Sequence, residues 1–172
     1  GLLMLVPVLA NAGTTLLGGR IMDARGEWPL LPAGFAAIAA GFALMAALAP
    51  TLSLLAAFIA ALLIMGGTGF IFSPSQTAGL RTLPAEMNPF GVAISTTFVQ
   101  IAACIGPSLY TGIMSTAQAG ALAAGAGEAL ATAQGFSIAM VVAACIAAAG
   151  CALALVYSRA AVKRDAKRAG SM

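Results

Sequence analysis

Histidine does not occur in this chain of 172 residues, and charge is scarce: eight Lys and Arg and five acids, 8% of the residues against 61% hydrophobic. A water-soluble domain carries roughly 25% charged residues. So little polar surface cannot cover a globule in water, and an Ala-rich soluble bundle is excluded because its helices need charged outer faces. The lack of histidine removes the commonest metal ligand and the commonest general base. Cysteine is nearly missing too. Cys104, Cys145 and Cys151 are odd in number, lie in apolar stretches and form no CxxC pair, so they read as small packing residues. No GK[ST] phosphate loop occurs, and the GAG at 125–127 follows no strand. A membrane enzyme needs paired acids, histidine clusters or a nucleophile with its base, and none is present. No catalytic residue, metal, cofactor or nucleic-acid partner is expected.

What is there is apolar length. Residues 28–80, 87–127 (apart from its bounding polar groups) and 129–158 carry no Asp, Glu, Lys or Arg. Each exceeds the ~20 apolar residues that cross a hydrocarbon core. The chain reads as an all-α integral membrane protein with five spans, about 1–19, 30–49, 53–80, 90–114 and 134–158, followed by a basic tail at 159–172. Strands are not expected, since the spans are long, rich in Ala and Leu and lack strict alternation. The Ala/Gly-rich segment 115–133 reads as a frayed helix or a loose loop. The chain opens at Gly1 inside an apolar run without a basic leader, which points to a fragment lacking its N-terminal part.

Five spans sort the charges. One side receives 20–29, 81–89 and 159–172, and with them all the basic residues: Arg20, Arg25, Arg81, Arg159, Lys163, Arg164, Lys167 and Arg168. The other side receives 50–52 and 115–133, with only Glu128. The positive-inside rule makes the basic side cytoplasmic, so the N-terminal end lies outside and the C-terminus inside.

Two of the five carboxylates and two of the eight bases crowd into GGRIMDARGEW, residues 18–28. Arginines in a short loop serve as a topology signal, and Asp23 can face the positive N-terminus of a neighbouring helix. The pattern G-x-x-x-D-x-x-G with interspersed bases also resembles the signature loop of the major facilitator superfamily, with Gly19, Arg20, Asp23, Arg25 and Gly26 at its recognisable positions. That loop joins the second and third helices of each six-helix half. Four spans follow it here, so the resemblance implies the last five helices of the C-terminal half. LPAEMNPFGVAISTTFVQIAACIGPSLYTGI, residues 83–113, is similar to a stretch of the fourteen-helix drug:proton antiporters. The sequence departs from those families at Glu27-Trp28, where further bases are common, and at Thr97, where Asn is common. The resemblance implies a gate: Asp23 and Arg20 first, Arg25 second, in contacts that favour one state and break as the two halves rock. A few kcal/mol biases such a two-state equilibrium.

No Asp, Glu, Lys or Arg lies mid-span. Proton coupling needs a titratable group inside the membrane, so the acids that carry protons are expected outside this chain. The remaining polar groups are neutral. Asn11, Thr14, Thr15 and Gly18 share a helical face. Gln76 follows Pro74, and Gln100 sits midway along the fourth span with Tyr110 beyond it. Each can serve as an interhelical hydrogen bond, worth about 0.6 kcal/mol. Phe98, Gln100, Tyr110, Gln76 and Asn11 are also the candidates for a pocket that accepts lipophilic cations. Gly66, Gly67, Gly69, Pro74, Gly106 and Pro107 predict close helix packing and kinks.

The leading expectation is part of a proton-coupled drug-efflux transporter in a bacterial plasma membrane. Its partners are the lipid bilayer, the remaining N-terminal helices, a small lipophilic or cationic substrate, and protons. The alternatives are a carrier of the same superfamily with another cargo (sugar, metabolite or peptide) and a small non-transporting assembly subunit.

Overall fold

A computed structural model describes residues 5–25, 30–51, 53–81 and 83–169. Five helices account for nearly all of them: α1 Leu5–Arg25, α2 Leu30–Leu48, α3 Leu54–Arg81, α4 Asn88–Ala123 and α5 Glu128–Ala169. Short 3-10 turns at Ala49–Thr51 and Ala85–Met87 lead into α3 and α4. No strand occurs among the described residues. By length and composition, α2, Leu54–Thr77 of α3, α4 with the turn before it, and Glu128–Arg159 of α5 can each cross a membrane.

The helices pack in the spatial order α1, α3, α2, α5, α4. Small residues set that order, because apolar side chains gain little by leaving lipid for protein and tight backbone approach must hold helices together. Gly34 of α2 and Gly67 of α3 face each other. A Cβ on Gly34 would lie 2.8 Å from the Gly67 carbonyl oxygen, and one on Gly67 would lie 2.6 Å from that of Gly34. Gly41 approaches the Ala60 carbonyl in the same way, at 3.0 Å from its Cβ position. α3 therefore lies close against α2 along its length. α1 and α2, consecutive in sequence, meet only where Gly18 passes Leu30.

α5 presents Ala131, Gly135, Ala139, Ala143, Ala147, Ala154 and Ser158, all buried and mostly four residues apart. This spacing is one helical face. Its upper part faces α2, where Ser137 Oγ donates to the Ala46 carbonyl at 2.9 Å and Cys151 Sγ to the Pro32 carbonyl at 3.5 Å. Its beginning faces α4, where the Gly135 Cβ position is 2.6 Å from the Met114 carbonyl.

Several ends differ from the sequence expectation. α4 runs to Ala123 and α5 begins at Glu128, so the segment 115–133 is a helical hairpin, not a loose loop. Alanine is the strongest helix former, and its abundance there outweighs the scattered glycines. Gln118 Nε2 donates to Thr132 Oγ1 at 2.9 Å across the hairpin. Gly125, with φ 85°, takes the left-handed conformation that ends α4. α4 has 36 residues, about 54 Å at 1.5 Å per residue, against a hydrocarbon core of about 30 Å. The hairpin lies at the end of the bundle away from Arg20 and Arg81. α1 likewise continues to Arg25, so Arg20 and Asp23 stand on its last turns and not in an open loop. Helix α3 continues through Pro74 and α4 through Pro107.

Candidate functional site

Two places hold the candidate residues. One is the charged end of α1. Gly18 is buried there, with its Cβ position 3.5 Å from Leu30 and from Phe70 and 3.7 Å from the Gly69 carbonyl. Gly19 faces open space, with nothing within 4 Å of its Cβ position. Of these two glycines only Gly18 is at a close approach. Arg20 is exposed. Asp23 and Arg25 lie in the final turn of α1, and Gly26 lies outside the described residues. Arg20, Asp23 and Arg25 thus stand on the last turns of α1, up to about two turns beyond the place where Gly18 meets α2 and α3.

The second place is the set of neutral polar groups inside the spans, which the fold separates. Asn11 is part of the α1–α3 seam. Its Nδ2 donates to the Met65 carbonyl and to Thr68 Oγ1, both at 2.8 Å, and Thr68 Oγ1 in turn donates to the same carbonyl at 2.8 Å. Both amide hydrogens of Asn11 are spent on α3. The Asn11 carbonyl sits against Gly69, whose Cβ position is 2.7 Å away. Thr14 and Thr15 bond back to carbonyls of their own helix. Gly66 and Gly69 form the α3 side of these contacts, Gly67 faces α2, and Pro74 is fully buried. Gly106 has nothing within 4 Å of its Cβ position.

On α4 the polar groups are exposed. Thr96 and Thr97 bond to the carbonyls of Val92 and Ala93, four residues back. Gln100 is exposed, and among the described residues no partner takes its amide. Phe98 is 67% exposed. Two residues along an α-helix turn the side chain by about 200°, so Phe98 and Gln100 point to opposite sides. They cannot line one pocket wall together. Tyr110 and Gln76 are half-buried, on α4 and α3. Asn11 and Gln76 thus belong to the α1–α3 pair, and the other three candidates to α4.

Sequence reading missed a large half-open cavity. A cavity of about 1020 Å³ lies at the end away from the bases, between α2, α3, α4 and α5. Met45, Leu48, Leu54, Ala57, Met114 and Phe136 line it, with Glu128 and Thr132 at its edge. It contains none of the five candidate pocket residues. No sequence pattern marks it, because its walls come from four helices. No cluster of three metal-binding side chains occurs among the described residues. Chemically the spans offer hydrogen bonds and apolar surface, which suit binding and sliding more than bond making.

Residues 1–107 match the model of the Major Facilitator Superfamily. The chain belongs to the major facilitator superfamily. The matched stretch covers α1, the charged segment, α2, α3 and the first half of α4. Over 118 residues, 69% of this chain, it is 30% identical to the lincomycin resistance protein LmrB of Listeria monocytogenes. The protein of that name from Bacillus subtilis is 30% identical over 119 residues. In each case the match spans 25% of the relative's own length. No solved structure matches the chain. For a facilitator, an assembly of apolar helices with charges on the last turns of one of them is a consistent arrangement.

Proposed function

We propose that the chain is a five-helix part of a bacterial drug-efflux transporter, drawn from the C-terminal half of a facilitator fold. The observations that carry this reading are the relation to lincomycin resistance proteins over 118 residues and the family match over residues 1–107, which includes the charged end of α1. In this reading Asp23 and Arg20, with Arg25 behind them, form the gate contacts. They are displayed on the last two turns of a rigid helix that is itself clamped to α3 by Asn11 and Gly69. A small rotation of the bundle then moves the charges as a unit. Proton coupling belongs to acids elsewhere in the transporter, because no charged group lies between Trp28 and Leu80 or along the inner part of α4 and α5.

The membrane is a bacterial plasma membrane, with the charged end of α1, the 85–87 turn and the basic tail on the cytoplasmic side. Cysteines introduced at Ala124 and at Ala166 in a cysteine-free background test this. Ala124→Cys is labelled from outside, and Ala166→Cys only after permeabilisation.

The full-length protein, produced in a drug-hypersensitive bacterium, tests the function. It lowers accumulation of lincomycin or of lipophilic cations, and a protonophore restores accumulation. Accumulation of a sugar or peptide substrate in place of drug efflux favours the other superfamily cargoes.

A further inference from the structure

α5 has 42 residues, about 63 Å of helix against a hydrocarbon core of about 30 Å. Its contacts fix which part leaves the bundle. Cys151 reaches the carbonyl of Pro32, near the first residue of α2, Leu30. Arg159 stands two turns further along α5, so it lies about 9 Å past the start of α2. From Arg159 to Arg168 the helix carries five of the chain's eight bases and a single acid, Asp165.

These bases are sorted by side. Successive residues of a helix turn by about 100°, so directions around α5 can be counted from Arg159. Ala143, Ala147, Cys151, Ala154 and Ser158, the side packed on the bundle, fall between about 200° and 280°. Ile146, Leu153, Val156 and Tyr157, all exposed, fall between about 60° and 160°. Continued in the same register, the positions of Lys163, Arg164, Lys167 and Arg168 fall between about 40° and 180°. Those of Ala161, Asp165 and Ala169 fall between about 200° and 280°. The bases thus prolong the exposed side of the span, and the acid prolongs the packed side.

We infer that the basic side of the α5 extension binds the phosphate headgroups of anionic phospholipids in the cytoplasmic leaflet. The inference rests on the membrane placement proposed above. Reach is the first argument. The helix rises about 14 Å from Arg159 to Arg168. A headgroup layer of about 6 Å and one Debye length of about 8 Å cover that distance. Sidedness is the second. A topology signal depends on how many bases lie near a span, not on the side they occupy. Bases that serve the interior of the bundle belong on the packed side, where Asp165 is. The observed side is the one that turns Leu153 and Val156 away from the bundle, toward lipid chains. The bases therefore meet the headgroups of the same lipids. A cluster of four to eight bases directly beyond a span attracts anionic lipid in this way.

The test uses the full-length protein in phosphatidylcholine vesicles containing about one fifth phosphatidylglycerol, with a trace of either lipid spin-labelled and read by electron paramagnetic resonance. The parent is expected to hold phosphatidylglycerol about fourfold over phosphatidylcholine, and to fall to near parity in about 0.5 M sodium chloride. A variant carrying Lys163→Gln, Arg164→Gln, Lys167→Gln and Arg168→Gln is expected to lose the preference. A second variant carries Lys163→Ala, Lys167→Ala, Ala161→Lys and Ala169→Lys, which keeps the number of bases and moves two of them to the packed side. Its preference is expected to fall about twofold. A parent without preference overturns the inference and leaves the tail as a topology signal. A preference unchanged in the glutamine variant overturns it in favour of Arg20, Arg25 or Arg81. A preference unchanged in the second variant overturns it in favour of charge number alone. Loss of the preference to inorganic phosphate at constant ionic strength overturns it in favour of a free anion. Labelling of Ala166→Cys in cells scores the placement separately. Labelling from outside sinks the placement, while labelling only after permeabilisation, with no lipid preference, sinks this inference and leaves the placement standing.

Discussion

α3 and α4 are both long membrane helices with an internal proline, yet they live in different surroundings. α3 lies between α1 and α2, with glycines at each seam and Asn11 clamping one side. α4 leans on α5 through the outer hairpin, touches α3 where Gly91 meets Leu80, and buries none of its residues. The difference teaches where membrane packing comes from. α3 is held because Gly34, Gly41, Gly67 and Gly69 bring backbones together, and dispersion contacts and a few hydrogen bonds follow. α4 has glycines as well, at Gly106, Gly112 and Gly120, but nothing stands within 4 Å of their Cβ positions. A glycine marks a close approach only when a neighbour is there to make it.

Substitutions at these two kinds of glycine break or sharpen the contrast. The largest effect is expected for Gly67→Val, which drives a side chain into the Gly34 carbonyl and Ile38. Overpacking of this kind costs about 2–3 kcal/mol. Gly112→Val on α4 is expected to cost well under 1 kcal/mol in the isolated chain, since it meets open space. Thermal unfolding in detergent, followed by circular dichroism, compares the two; equal losses erase the distinction. A middle effect is expected for Asn11→Ala, which removes two interhelical hydrogen bonds of about 0.6 kcal/mol each. The same assay reads it, and an unchanged midpoint means the α1–α3 seam rests on the glycines alone. The smallest is Gln118→Ala, which removes one bond at the outer hairpin, about 0.5 kcal/mol. Hydrogen exchange at 115–133 is the sensitive readout there, with faster exchange expected and no change counting against a stabilised hairpin.

The presence of long apolar helices was legible because charge is excluded from 28–80, 87–127 and 129–158, but their ends were not: α1 runs on through Arg20 and Asp23, and α5 runs on through Arg159 to Ala169. The packing of Asn11 was half legible: its shared face with Thr14, Thr15 and Gly18 marked a seam, but the partner, Met65 and Thr68 of α3, depends on tertiary structure. The helical hairpin at 115–133 was not legible, because alanine and glycine alternate there without an apolar period. Only Gln118 meeting Thr132 and Ala131 becoming buried decide it. The grouping of Phe98 with Gln100 needed no structure to correct, since residues two apart on a helix point to opposite sides. The bare condition of α4 could not be read at all, because exposure is a property of neighbours and not of sequence.

The most direct test of the account compares the full-length protein with its Asp23→Asn variant, at matched membrane levels, by drug efflux from energised cells. The substitution removes one charge from the last turn of α1 and leaves the helix and its α3 seam intact. The account predicts efflux reduced about tenfold or more, as expected when a contact worth more than 1.4 kcal/mol in one state is lost from a two-state equilibrium. Efflux unchanged from the parent would contradict it and leave the charged end of α1 as a signal for membrane topology alone.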